Sequence, residues 1–304
     1  MRVLVVGAGA TGGYFGGRLA GAGRDVTFLV RPARAARLAE RGLRITGPSG
    51  ESRTDVRTVT AGTLDSPYDL VLLSVKSYGL DQAIADITPA VGARTVIVPL
   101  LNGMRHVDTL LAAFGPERVW GGICMINSTL TEEGDISQMT AMARLVHGPF
   151  GDAPDDRLDA VTAALSGAGF ESRASGDIVQ EMWEKWAFLS GIGVATTLAG
   201  GTIGDITAVP GGLAYASAVA GEALAIATAA GHRPRDSWEK LLRDSITALG
   251  VPATSSMYRD MTAGAPVEAE AIVGDMVAHA ERLGVPAPLF NAARVRLAIY
   301  SARR

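Results

Sequence analysis

The sequence predicts an α/β protein, a parallel-sheet domain followed by an all-α domain, and three observations carry that reading. Short apolar, β-branched runs alternate with helical patterns through the first half. A glycine-rich turn at Gly7–Gly12 joins the first run to the first helix. From Asp177 onward only helical patterns remain, broken at glycine and proline. A length of 304 residues accommodates two domains, expected at 1–176 and 177–304 with a cleft between them.

The elements follow in order. "VLVVGA" precedes a helix through Leu19, and "DVTFLVR" precedes the helical "RPARAARLAERG". "LRITGPSGESRTDVRTVT" reads as a hairpin turning at Gly47–Gly50. "DLVLLSVKS" leads into "LDQAIADI", and "TVIVPLLNG" into "VDTLLAAF". Apolar strands joined by crossover helices predict a parallel sheet buried on both faces. "VWGGICMINSTL" and "ARLVHGPFG" add later strands, and "DDRLDAVTAALSGAG" adds a helix. In the second half Asp177 is an expected N-cap, with Gln180 three residues on in a capping-box-like start. Helices are then expected at Leu213–Ala230, Asp236–Leu249, Ser255–Thr262, Val267–Leu283 and Leu289–Ala302.

Composition narrows the function classes. A net charge of −3 and the lack of a basic stripe interleaved with aromatics argue against nucleic acid. The single cysteine, Cys124, excludes an internal disulfide, and the four histidines show no metal-ligand spacing. The apolar run at the N-terminus is too short for a secretory signal, and no run reaches the roughly 18 apolar residues of a membrane span. A cytoplasmic protein with no membrane partner is expected. The Ala-rich helix at 213–230 hints at subunit contacts, as in a homodimer.

Gly7, Gly9 and Gly12 have G-x-G-x-x-G spacing between an apolar strand and a helix. The first glycine permits a tight turn, the second lets backbone approach a pyrophosphate, and the third lets helix pack on strand. With Ala10 and Thr11 between them, they offer the N–H groups of a helix N-terminus to phosphate. The second strand bears on which dinucleotide binds. An NAD site places a carboxylate roughly twenty residues beyond the glycines. Here the strand runs into Val30 and Arg31, with Arg34 a turn further on. A guanidinium suits a 2′-phosphate, which favours NADPH. The alternative is that both arginines are ordinary solvated charges.

Only three of the 28 basic residues are lysine: Lys76, Lys185 and Lys240. Arginine holds its proton across the working pH range, whereas a buried lysine can release one. Lys185 lies in "QEMWEKWAFLS", where Ile178, Met182, Lys185 and Leu189 share one helical face. In that apolar stripe desolvation should lower its pKa and make it a usable proton donor. The competing reading is a surface ion pair with Glu181, four residues earlier. Lys76 and Asn102 each follow a predicted parallel strand, at the ends where such sheets bind ligands.

Behind the glycine loop come, in order, Asn102–Gly103–Met104, the W-x-K element at Trp183–Lys185, Ser256–Met257 and Glu268. This set resembles the ketopantoate reductase family, the 2-dehydropantoate 2-reductases, over nearly the whole chain. The resemblance implies an N-terminal Rossmann-type domain, an all-α C-terminal domain and NADPH-dependent reduction of a 2-oxo acid. It implies that Lys185 is the general acid, that Glu268 assists or orients it, and that Ser256 binds the substrate. Asn102 and Lys76 would sit beside the nicotinamide-ribose end of the cofactor and the substrate. Read singly, Ser256 is equally a helix cap, Glu268 a solvated first-turn acid and Asn102 a turn residue.

The family pattern also carries asparagines four and eight residues after the lysine, where this chain has Leu189 and Gly193, and a third near Val273. The reaction machinery is retained while residues that would contact the substrate differ, so a bulkier or less polar ketone, 2-oxo acid or imine is the alternative substrate. A β-hydroxyacid dehydrogenase would place its lysine after a glycine-rich helix start, which "EMWEKWAF" lacks. A non-catalytic NADPH-binding sensor would keep Gly7–Gly12 and Arg31 but have no use for Lys185 and Glu268.

Overall fold

The computed structural model describes residues 1–151 and 153–304. Two compact units make up the chain, one of Met1–Leu101 and His106–Val179, the other of Asn102–Arg105 and Gln180–Arg304. The short loop that carries Asn102 therefore belongs with the helices, although the sequence around it belongs with the sheet.

The first unit begins with β1 (Arg2–Val6), α1 (Ala10–Gly21), β2 (Asp25–Leu29) and α2 (Pro32–Arg41). The hairpin β3 (Leu43–Gly47) and β4 (Gly50–Thr54) follows, paired from Leu43–Thr54 to Gly47–Gly50. The sequence reading carries this hairpin on through "VRTVT". Instead β5 (Arg57–Val59) leaves it and pairs with β2. Next come β6 (Tyr68–Leu73), α3 (Leu80–Ile87), β7 (Val91–Pro99) and α4 (Arg105–Phe114), then β8 (Trp120–Leu130), β9 (Ile136–Pro149), α5 (Leu158–Leu165) and β10 (Glu171–Ala174).

These strands form two five-stranded sheets. The first is wholly parallel, in the order β5-β2-β1-β6-β7. The second runs β10-β9-β3-β4, with β8 antiparallel to β9, so the later strands build a sheet of their own. Alternation along β1 shows why the first sheet is apolar throughout. Val3 and Val5 join one core with Phe15, Phe28, Leu43 and Trp120, while Leu4 and Val6 join another with Leu73, Ile87 and Leu110. α1 packs close on both sheets because it is glycine-rich. A Cβ on Gly16 would stand 2.6 Å from the Phe28 ring, and one on Gly17 2.5 Å from Leu43.

The second unit is helical: α6 (Ile178–Ala199), α7 (Ile203–Ala208), α8 (Gly212–Ala229), α9 (Asp236–Ile246), α10 (Ser256–Thr262), α11 (Asp275–Leu283) and α12 (Pro288–Ala302). Gly191 on α6 lets Leu242 and Ala223 approach, and Ala216, Ala220, Ala223 and Ala227 of α8 are buried. The small residues of α8 thus serve packing inside the unit. α7 is absent from the sequence reading. A reciprocal cap starts it, with the Thr202 hydroxyl accepting from the Asp205 N–H at 3.1 Å and the Asp205 carboxylate accepting from the Thr202 N–H at 2.9 Å.

The helix expected over Val267–Leu283 forms from residue 269 to Leu283 but is not regular throughout. A π-helical turn at Glu270–Gly274 precedes α11, and the Asp275 N–H donates to the Glu270 carbonyl. The Glu270 carboxylate lies beside Gly274, 2.3 Å from where a Cβ would stand. The Glu222 carboxylate accepts from the Leu289 and Phe290 N–H groups, capping the start of α12.

Candidate active site

In the sheet unit, Gly7 turns out of β1 at φ +94°, a left-handed conformation that favours glycine. A Cβ on Gly12 would lie 1.8 Å from the Ser74 hydroxyl and 2.4 Å from the Gly7 carbonyl. Ser74, at the end of β6, in turn donates toward the Val6 and Gly7 carbonyls at 2.8 and 3.1 Å. Gly9 is the opposite case, with no atom within 4 Å of where a Cβ would stand. It precedes α1, whose N-terminus has no side-chain cap. An open glycine beside uncapped N–H groups fits a pyrophosphate, with Ala10 and Thr11 on the first turn.

Arg31 is exposed just past the end of β2, where it precedes the first residue of α2. The acid nearest in sequence, Asp25, starts the same strand at its far end. Arg34 has a different task. Its Nε and Nη2 donate to the Ala8 carbonyl at 3.2 and 3.0 Å, and its Nη1 donates to the Gly134 carbonyl at 2.8 Å. Burial, and then repulsion from Arg37, lower its pKa from the ordinary arginine value. It braces the glycine loop against the β8–β9 turn. Lys76, exposed, precedes a short 3-10 turn at Ser77–Gly79.

The helical unit holds Asn102, Lys185, Leu189, Gly193, Ser256 and Glu268. Lys185 is 7 % exposed and Glu181 6 %, so neither belongs to a surface ion pair. The stripe expected on one face of α6 understates the burial, because Met182, Trp183, Glu184, Trp186 and Ala187 are buried as well. The Trp183 and Trp186 rings flank Lys185 in sequence and lie 4.8 Å apart. Glu184, whose side chain is wholly buried, accepts from the Arg235 backbone N–H at 2.9 Å and from its Nε at 2.8 Å, and pairs with its Nη2.

Glu268 is likewise 7 % exposed, and its carbonyl accepts from the Ile272 N–H at 3.1 Å. Burial removes the reading of Glu268 as a solvated first-turn acid. Ser256 is not the cap of α10. Ser255 is, accepting from the Tyr258 N–H at 2.9 Å, which leaves Ser256 exposed beside it. Asn102 is half-buried and Gly103 turns at φ +79°. Gly103 lies against the π turn, and the Trp186 indole N–H donates to the Ile272 carbonyl there at 2.9 Å. The segments carrying Asn102, Lys185 and Glu268 are thus brought together through adjoining residues. Leu189 is half-buried, and a Cβ on Gly193 would meet the Met257 methyl at 2.9 Å, so Met257 fills the space beside Gly193. Ser74, Arg34 as a brace, and Trp186 escape a reading of the sequence, because each acts through a distant backbone group that no local pattern marks.

Two adjacent family models match the chain: ketopantoate reductase PanE/ApbA over residues 3–152, and its C-terminal counterpart over residues 177–296. The chain belongs to the ketopantoate reductase family. This oxidoreductase is 36 % identical to the uncharacterised oxidoreductase YkpB of Bacillus subtilis, over 100 % of both chains. It is 30 % identical to the 2-dehydropantoate 2-reductase of Halobacterium salinarum, covering 98 % of this chain and 99 % of that one. The crystal structure of 2-dehydropantoate 2-reductase from Geobacter metallireducens superposes with a TM-score of 0.89 at 27 % identity, over 98 % of this chain and 99 % of that one. The ketopantoate reductase fold therefore accounts for both units, the parallel sheet with its glycine loop and the helices that carry Lys185.

Proposed function

We propose that this protein is an NADPH-dependent reductase that converts a 2-oxo acid to the 2-hydroxy acid, with Lys185 as general acid. The burial of a lysine beside Trp186, whose indole is bonded to the turn that follows Glu268, carries the reading. A reduced nicotinamide supplies the hydride. The carbonyl carbon receives it, the C=O π electrons move to oxygen, and the Lys185 ammonium supplies the proton that completes the hydroxyl. Glu268 orients that ammonium, Ser256 holds the substrate, and Asn102 and Lys76 flank the nicotinamide-ribose end. Gly7, Gly9, Ala10, Thr11 and Gly12 receive the pyrophosphate, and Arg31 the 2′-phosphate.

A less polar substrate than 2-dehydropantoate is favoured by one observation. Leu189 and the Met257 methyl beside Gly193 offer no hydrogen bonds where the family pattern has asparagines. A site built to bond a hydroxyl rejects analogues lacking it, whereas an apolar site tolerates either. The test compares 2-dehydropantoate with 3-methyl-2-oxobutanoate, which lacks only the hydroxymethyl group, by NADPH consumption. Equal or better kcat/KM for the second compound is expected. A strong preference for 2-dehydropantoate would restore the family substrate, and no turnover of any 2-oxo acid would overturn the 2-oxo acid reading, leaving a ketone or imine reductase or a non-catalytic NADPH-binding protein.

A further inference from the structure

Two segments of the helical unit, α6 and the loop Asn102–Arg105, meet the π turn Glu270–Gly274. The Trp186 Nε1–H donates to the Ile272 carbonyl at 2.9 Å, and Trp186 is 1 % exposed. From the loop Asn102–Arg105, Gly103 presses on the same turn. A Cβ there would stand 2.1 Å from the Ala271 carbonyl oxygen and 3.8 Å from Trp186 Nε1. Two residues on, Arg105 Nη1 lies 3.6 Å from the carboxylate of Asp275, the residue that closes the turn. Each contact is made by the immediate neighbour, or near neighbour, of a proposed site residue: Gly103 beside Asn102, Trp186 beside Lys185, and Ala271 and Ile272 just after Glu268.

A π turn widens the helix by one residue and re-aims its carbonyls, and such turns recur at functional sites. Here a regular helix would lack the added residue. Glu268 keeps α-helical spacing with those carbonyls, its own carbonyl accepting from the Ile272 N–H at 3.1 Å, so without the added residue Glu268 and the carbonyls that meet Gly103 and Trp186 would be re-aimed together relative to α11. Glycine at 103 is required twice over, by its φ of +79° and by the absence of room for a side chain.

We infer that Trp186 is a positioning residue, which through its bond to the Ile272 carbonyl holds Glu268 and Asn102 in register with Lys185. This rests on the reading of Lys185 and Glu268 as the proton-delivering pair. Trp186 itself touches neither substrate nor cofactor in this scheme. It acts on the backbone that carries Glu268, with Gly103 closing the contact from the loop side.

Trp186→Phe removes the indole N–H and keeps a ring for the edge-on contact with His279, whose centroid lies 5.7 Å away. The probes are NADPH with 2-dehydropantoate and with 3-methyl-2-oxobutanoate, measured on the full chain beside Lys185→Arg. With a site displaced by a fraction of an ångström, kcat should fall roughly 10- to 100-fold while the KM for NADPH stays within about twofold. The pH profile of kcat should also shift, because the pair that sets it has moved. Trp186→His, which keeps a ring N–H able to donate to the Ile272 carbonyl, should lose less kcat than Trp186→Phe, and equal losses in the two would also overturn the role of that bond. Parental kcat and pH profile in a folded variant, with Lys185→Arg impaired, would overturn the positioning role alone. Parental turnover in Lys185→Arg would overturn the reading beneath it.

Discussion

Arg34 donates to the Ala8 and Gly134 carbonyls, whereas Arg31, three residues earlier, is exposed past the end of β2. Only Arg31 has its guanidinium available to a 2′-phosphate without unlatching the glycine loop. NADPH is therefore expected to bind at least about tenfold tighter than NADH, equivalent to roughly 1.4 kcal/mol of phosphate recognition. Arg31→Ala should abolish most of that difference by weakening NADPH alone, as read by titration with both cofactors. Equal affinities in the parent protein would remove the assignment. At this scale the sequence was most informative where chemistry is local. Gly7, Gly9 and Gly12 are legible from spacing. Ser74, the group Gly12 must accommodate, lies just past β6, and nothing in "LSVKS" marks it.

Along α6, the buried acid Glu184 is neutralised by Arg235, which immediately precedes α9. Removing the guanidinium leaves this buried carboxylate with the Arg235 backbone N–H and the Gln180 amide as donors but without a compensating charge. Arg235→Leu should destabilise the helical unit by on the order of 3 kcal/mol, the usual cost of breaking a buried pair from one side. Urea unfolding of the variant measures it, and an unchanged midpoint would mean that Glu184 finds another partner. Elements themselves were readable in proportion to how much of their cause is local. β1, β6 and β7 declare themselves as apolar runs because both of their faces are covered. The π turn does not, because its shape answers to Trp186 and Gly103, which are remote in sequence. The second sheet was hidden for the same reason. Its strands β8 and β9 look like further parallel strands until their pairing with each other is known.

Across the whole molecule, His147 and the half-buried Tyr215 bear opposite relations to pH. His147 on β9 is wholly buried, stacked on Trp120 with its Nε2 3.1 Å from the Thr162 hydroxyl, and burial pushes its pKa down to about 4. Between its ordinary value near 6.5 and about 4, the unfolded chain takes up a proton that the folded one refuses. Stability from this site is thus complete above pH about 6.5 and lost as pH falls toward 4, by up to about 3 kcal/mol. The stability difference between the parent and His147→Gln should shrink over that window, as measured by urea unfolding at stepped pH, and a pH-independent difference would mean the ring titrates normally. Tyr215, pushed up to about 12 by burial, keeps its proton throughout the working range. Lys185 bears on function, and replacing it with arginine is the most direct test. Arginine keeps the charge and much of the length but does not give up its proton. Turnover of NADPH with 2-dehydropantoate or 3-methyl-2-oxobutanoate should fall roughly 10²- to 10⁴-fold in Lys185→Arg, with NADPH affinity little changed. Near-parental turnover in that variant would contradict Lys185 as the proton donor.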